Sequence, residues 1–208
     1  MAEPTVGEEQ AVVALMQRAR LYHETAPRLA LAAGILSLLA AGGISMSARV
    51  LQHPVRSREF ALIWIVVFIV VLLLKQLLVR TAETEAIISE GKRIARRAIL
   101  PNVVIPIMFT GWFLMNGYLG AQEVNLVVAW IAFYGLTLLS VSLFGPSSLA
   151  ALGWAFLLTS LSVPVAIELI DRYFSVNIPN LLMGATFGLY HLIYAACAWP
   201  RGLKPKTV

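Results

Sequence analysis

In the stretch "FGLYHLIYAACAW", residues 187 to 199, one imidazole, His191, interrupts an otherwise apolar run. An imidazole can donate or accept a hydrogen bond, ligate a metal or carry a proton. A run this apolar suits the interior of a bilayer, where a titratable side chain is either packed against protein or put to use. At the same depth, taken as the middle of each apolar run, stand Ser37, Thr110, Tyr134 and Ser160 with its neighbour Thr159. Pro164 adds an acceptor to this belt, because a proline within a helix releases the carbonyl four residues back, here that of Ser160. The belt has two readings. One is a set of interhelical hydrogen bonds contributing about 0.6 to 2 kcal/mol each. The other is a polar site for a solute, a proton or a cofactor. Ser and Thr are common in such runs, so the first reading leads and His191 alone is unusual.

His191 shares a stripe at spacings of three and four with Gly184, Gly188, Ala195 and Ala198. Gly184 and Gly188 form a small-xxx-small pair, the pattern by which membrane helices approach closely. The ring is therefore expected to point into a helix contact, with the hydroxyls of Thr110 or Tyr134, or the Ser160 carbonyl, as its partner. No cofactor or metal is expected. His23 and His53 fall outside the apolar runs, and no Cys, His or carboxylate cluster with ligand spacing accompanies His191. A serine–histidine dyad of the rhomboid kind needs a nucleophile in a Gly-x-Ser-Gly context within the fourth span. The nearest stretch, "FGPSSLA", reads instead as a turn and helix start. With no phosphate loop, HExxH or dinucleotide-binding glycine pattern, the chain reads as non-enzymatic.

The elements that must position these groups follow from composition. Hydrophobic residues make up 59% of 208 and charged residues 13%, against about half and a quarter in soluble domains. The apolar residues gather into six runs: Leu29 to Ala48, Phe60 to Val79, Leu100 to Leu119, Leu126 to Phe144, Leu149 to Ile170 and Leu181 to Trp199. Each suits a helix across about 30 Å of hydrocarbon. A lipid-facing barrel alternates apolar and polar residues, and "FALIWIVVFIVVLLL" does not. The fold expected is an all-α integral membrane bundle of six transmembrane helices spanning residues 28–200. The first span, rich in Ala, Gly and Ser, is expected at its centre; the second, almost wholly branched and aromatic, at its periphery.

Ahead of the bundle, residues 1–27 place Val12, Leu15, Met16, Ala19 and Tyr22 at helical spacing. This describes an amphipathic helix lying on the cytoplasmic leaflet, with Pro27 as its end. The acidic start "MAEPTVGEEQ" does not read as a signal peptide. Between spans two and three, "RTAETEAIISEGKRIARRA" suggests a helical extension into the cytoplasm. With both termini inside, eleven basic residues lie on the cytoplasmic side, including a short tail, 201–208. Only Arg49, Arg56, Arg58 and Arg172 lie outside, as the positive-inside rule requires. The net charge of +5 is then directed at anionic headgroups rather than nucleic acid, with Lys92, Arg93, Arg96 and Arg97 as the principal contacts. A second copy of the chain, or another membrane protein, is the other partner expected.

The segment "AWIAFYGLTLLSVSLFGPSSLAALGWAFLL", residues 129 to 158, resembles small polytopic bacterial inner-membrane proteins of unassigned function, which also carry a Trp, a Tyr-Gly and a Leu-Gly-Trp-like stretch. The resemblance covers spans four and five and implies a bacterial inner membrane; it brings no site residues. The leading expectation is a regulatory or accessory module acting through helix association. The alternative is a small solute or proton transporter built around His191.

Overall fold

The computed structural model describes residues 6–51, 57–80, 104–116, 123–143, 146–173 and 177–199, and among them every regular element is helical. In chain order these are α1 (Val6–Leu51), α2 (Ser57–Arg80), α3 (Val104–Met115), α4 (Glu123–Ser142), α5 (Ser147–Tyr173) and α6 (Ile178–Ala198). Five stretches are long and apolar enough to cross a membrane: Thr25–Val50, Arg58–Leu78, Glu123–Ser142, Ser147–Ile167 and Ile178–Ala198. The helix α3 is shorter. The rest of the expected third span, the cytoplasmic extension with its four basic residues, and the tail lie outside the described residues.

One expectation is corrected. The amphipathic N-terminal helix does not stop at Pro27: α1 runs through it as one helix of 46 residues, roughly 70 Å long at 1.5 Å per residue. Proline at this position forgoes the hydrogen bond to the carbonyl of His23. Its ring is fully buried, however, so packing offsets what the backbone loses.

Close backbone approaches organise the bundle. A Cβ on Gly135 of α4 would lie 3.0 Å from the carbonyl oxygen of Gly153 on α5, and a Cβ on Gly153 would lie 3.0 Å from that of Gly135. These are the glycines of the Tyr-Gly and Leu-Gly-Trp stretches, and each is needed because the opposing atom is backbone and cannot yield. On the other side of the bundle α1 lies along α6 and also packs on α2. A Cβ on Gly34 would meet Leu192 Cδ2 at 2.7 Å and the Gly188 carbonyl oxygen at 3.0 Å. Gly188 in turn receives Leu38, and Gly184 receives Ala41.

Between these two pairings sits an aromatic core. Phe60 and Trp64 of α2, Trp130 of α4, Phe156 of α5 and Phe187 of α6 are buried. Phe68 links α2 to both Trp130, at 5.5 Å between ring centroids, and Phe187, at 5.1 Å. The outward faces are apolar as well: Leu62, Leu73 and Leu77 of α2 and Leu158, Leu161 and Val165 of α5 are all more than half exposed. Within the apolar stretches, only 11% of that in α2 is buried, against 28% of that in α1 and 44% of that in α6. The last helix, rather than the first, is the most enclosed.

Candidate functional site

The helix α6 begins with local chemistry that the sequence makes explicit. Asn177 caps it, its Oδ1 accepting from the Asn180 backbone N–H at 3.0 Å, and Pro179 in the first turn has no N–H to leave unsatisfied. The Asn180 side chain then reaches across to α1, donating from Nδ2 to the Ala41 carbonyl at 2.8 Å and to Ser45 Oγ at 2.9 Å. Because a carbonyl can only accept, this contact fixes which end of the amide faces α1. Asn180 was legible only as part of a Pro-Asn helix start; the buried polar side chain within an apolar run was the signal for its second task.

From Gly184 to Tyr190 the helix is π-wound, returning to α geometry at His191. In a continuous α-helix, residues eleven apart differ in direction by only about 20°, so Asn180 and His191 would share a face. The π segment accommodates an extra residue and unwinds the helix by about one position, or 100°. Asn180 thus faces α1 while His191 faces α4 and α5. The stripe drawn through Gly184, Gly188 and His191 divides here: the two glycines lie against α1, and the imidazole is directed elsewhere. Ala195, one turn beyond, is buried.

His191 is 4% exposed. Its Nε2 is 2.7 Å from the Tyr134 hydroxyl, and three rings enclose it: Phe187 stacked at 6.2 Å, Phe156 edge-on at 5.6 Å and Tyr134 at 5.4 Å. The other nitrogen, Nδ1, faces the backbone carbonyls of Thr186 and Phe187 without a well-formed hydrogen bond. A bare lone pair facing carbonyl oxygens is repelled, so this arrangement favours the proton on Nδ1 and makes the Tyr134 O–H the donor to Nε2.

The rest of the belt is distributed rather than gathered. Thr110 Oγ1 donates to the Pro106 carbonyl at 2.7 Å and accepts from Trp130 Nε1 at 2.8 Å, joining α3 to α4. Thr159 Oγ1 donates to the Ala155 carbonyl and pairs with the Tyr190 hydroxyl at 2.9 Å. Ser160 Oγ donates within its own helix, to Leu157. Ser37 is buried on α1. Of the six residues expected at this depth, Tyr134 and His191 are the pair joined by a hydrogen bond among the described residues. Among the described residues no three His, Cys, Asp or Glu side chains come together as a metal site.

No family model matches the chain, and no similarity to a curated protein or to a solved structure was found.

Proposed function

We propose that this chain is a non-enzymatic, six-span integral membrane protein of a bacterial inner membrane, with both termini cytoplasmic, serving as a regulatory or accessory module through helix association. One observation carries the reading: the polar side chains at mid-depth are spent in separate pairs, Thr110 with Trp130, Tyr134 with His191 and Thr159 with Tyr190. A solute site needs donors and acceptors that converge on one place; here they tie helices to one another. The apolar outer faces and the excess of cytoplasmic basic residues support the membrane setting and the orientation. The anionic leaflet is the partner of Lys92, Arg93, Arg96 and Arg97 in this reading.

Purified protein in liposomes tests it. Neither proton flux nor uptake above that of protein-free vesicles is expected; specific flux abolished by a substitution at Tyr134 or His191 would overturn the reading in favour of a carrier. Orientation is tested in a Cys197→Ala background. Single cysteines at Thr84 and Lys206 should resist a membrane-impermeant reagent in intact cells while one at Ser57 reacts, and the opposite pattern inverts the topology.

A further inference from the structure

Readily oxidised side chains run through the aromatic core and out to its surface. Trp64, Phe68 and Trp130 follow one another at 6.5 and 5.5 Å between ring centroids, and Phe68 continues through Phe187, at 5.1 Å, to Tyr134, a further 5.1 Å on. A second arm starts outside. Trp112 stands with Ile107, Met108 and Met115 on an apolar face of α3, each more than half exposed. Its ring leads through Phe109, at 6.2 Å, to Phe133, at 6.1 Å, the residue that precedes Tyr134. Indole and phenol give up an electron far more readily than a benzene ring does. A missing electron therefore rests on Trp or Tyr, and the Phe rings are the medium between. Where it rests is decided by the proton, because an indole or a phenol that loses an electron becomes a strong acid and is stabilised where a base takes its proton. The Trp130 Nε1–H meets only the Thr110 hydroxyl, and Trp64 Nε1 has no partner among the described residues. The Tyr190 hydroxyl faces another hydroxyl, that of Thr159, and Tyr194 Oη makes no well-formed hydrogen bond. Of these groups Tyr134 alone faces a base: His191 Nε2, at 2.7 Å, an imidazole nitrogen that can accept a proton.

We infer that the Tyr134–His191 pair is a redox site, at which an electron hole delivered by a lipid peroxyl radical settles on Tyr134 as its proton passes to His191. The class of oxidant follows from the entry point: Trp112 faces outward among apolar side chains, so what reaches it is carried by the lipid. The peroxyl radical takes one electron from Trp112 and becomes a hydroperoxide anion, which draws a proton from interfacial water and leaves hydroxide. One electron from Tyr134 then refills Trp112, and the phenolic proton crosses the 2.7 Å bond to Nε2. The protein has lost one electron and no proton. A neutral tyrosyl radical and an imidazolium remain, and their single positive charge is the one the departed electron left behind. The inference is independent of the association reading, since a bundle with this site and one without it both give zero transmembrane flux.

The test places the full chain in liposomes of linoleoyl phosphatidylcholine with a lipid-soluble azo initiator, which generates peroxyl radicals within the bilayer. Samples are frozen during initiation and the protein radical is read by electron paramagnetic resonance, with ring-deuterated tyrosine identifying a tyrosyl signal. The wild-type chain should give that signal. Tyr134→Phe should lower its yield at least fivefold, and Tyr190→Phe, a change of the same size to a neighbouring ring, should leave it unaltered. His191→Gln supplies an amide that can accept the phenol's hydrogen bond but not its proton; it should also lower the yield at least fivefold, which a merely structural role would not require, and it serves where Tyr134→Phe does not fold. Trp112→Phe should lower the yield at least threefold. No tyrosyl signal in the wild-type chain overturns the inference, as does an unchanged yield in Tyr134→Phe, His191→Gln or Trp112→Phe, or an equal loss in Tyr190→Phe.

Discussion

The helices α2 and α6 invert the pattern of a soluble bundle. The α2 helix is a run of Val, Ile, Leu and Phe, yet only 11% of its apolar stretch is buried; α6 carries Asn180, Thr186 and His191 and two packing glycines, and 44% of its apolar stretch is buried. In water the more apolar helix would be the more enclosed. Against hydrocarbon, apolar side chains gain nothing by leaving the lipid, and helices associate through close backbone contact and hydrogen bonds. Burial here follows small and polar residues. The α2 helix contributes to the core along one face, where it turns Phe60, Ala61, Trp64 and Phe68 inward.

If that contrast is correct, substitutions in α6 contacts should destabilise and those on the α2 surface should not. Gly34→Val should have the largest effect, about 3 kcal/mol in detergent unfolding, because its Cβ meets the Gly188 carbonyl at 3.0 Å. Gly42→Val, on the same helix with nothing within 4 Å, is the control, and equal losses for both would refute the close-contact account. His191→Leu should cost about 1.5 kcal/mol by stranding the Tyr134 hydroxyl, and His191→Gln should recover part of it. A double-mutant cycle with Tyr134→Phe that showed no coupling would remove this pair from the contrast. Asn180→Ala should cost about 1 kcal/mol through its lost bonds to Ala41 and Ser45; a null result would mean that the α1–α6 contact rests on the glycines alone. Leu73→Ala on α2, 58% exposed, should change stability by less than about 0.5 kcal/mol in lipid or detergent. A loss above 1 kcal/mol would place that face against protein.

The sequence makes the helical class legible because uninterrupted apolar runs leave a chain few other ways to satisfy its backbone. It also makes the inward direction of His191 legible, and it puts Tyr134 at the same depth by counting along each run. It cannot say which helices are neighbours, and so Thr110 and the Ser160 carbonyl stood beside Tyr134 as equal partners. Pro27 misleads because helix breaking is a local rule, whereas its buried ring answers to tertiary packing. Small residues mark the first span for close contact, but nothing singles out Gly34 from Gly42, or Gly135 and Gly153 as a pair, since a glycine in an apolar run looks the same whether a backbone lies opposite or not. The π segment has no sequence pattern at all; it is visible only as the angle between Asn180 and His191.

That segment sets a constraint on permissible insertions and deletions. Because the stretch from Gly184 to Tyr190 holds one residue more than α geometry needs, deleting Ala185 would leave an unbroken α-helix of nearly the same height, with its apolar character and both ends intact. It would also swing His191 about 100° back towards α1 and away from Tyr134. A homologue shorter by one residue in this stretch should therefore lack the paired phenol, and such a length difference would identify chains that keep the bundle but not the imidazole contact.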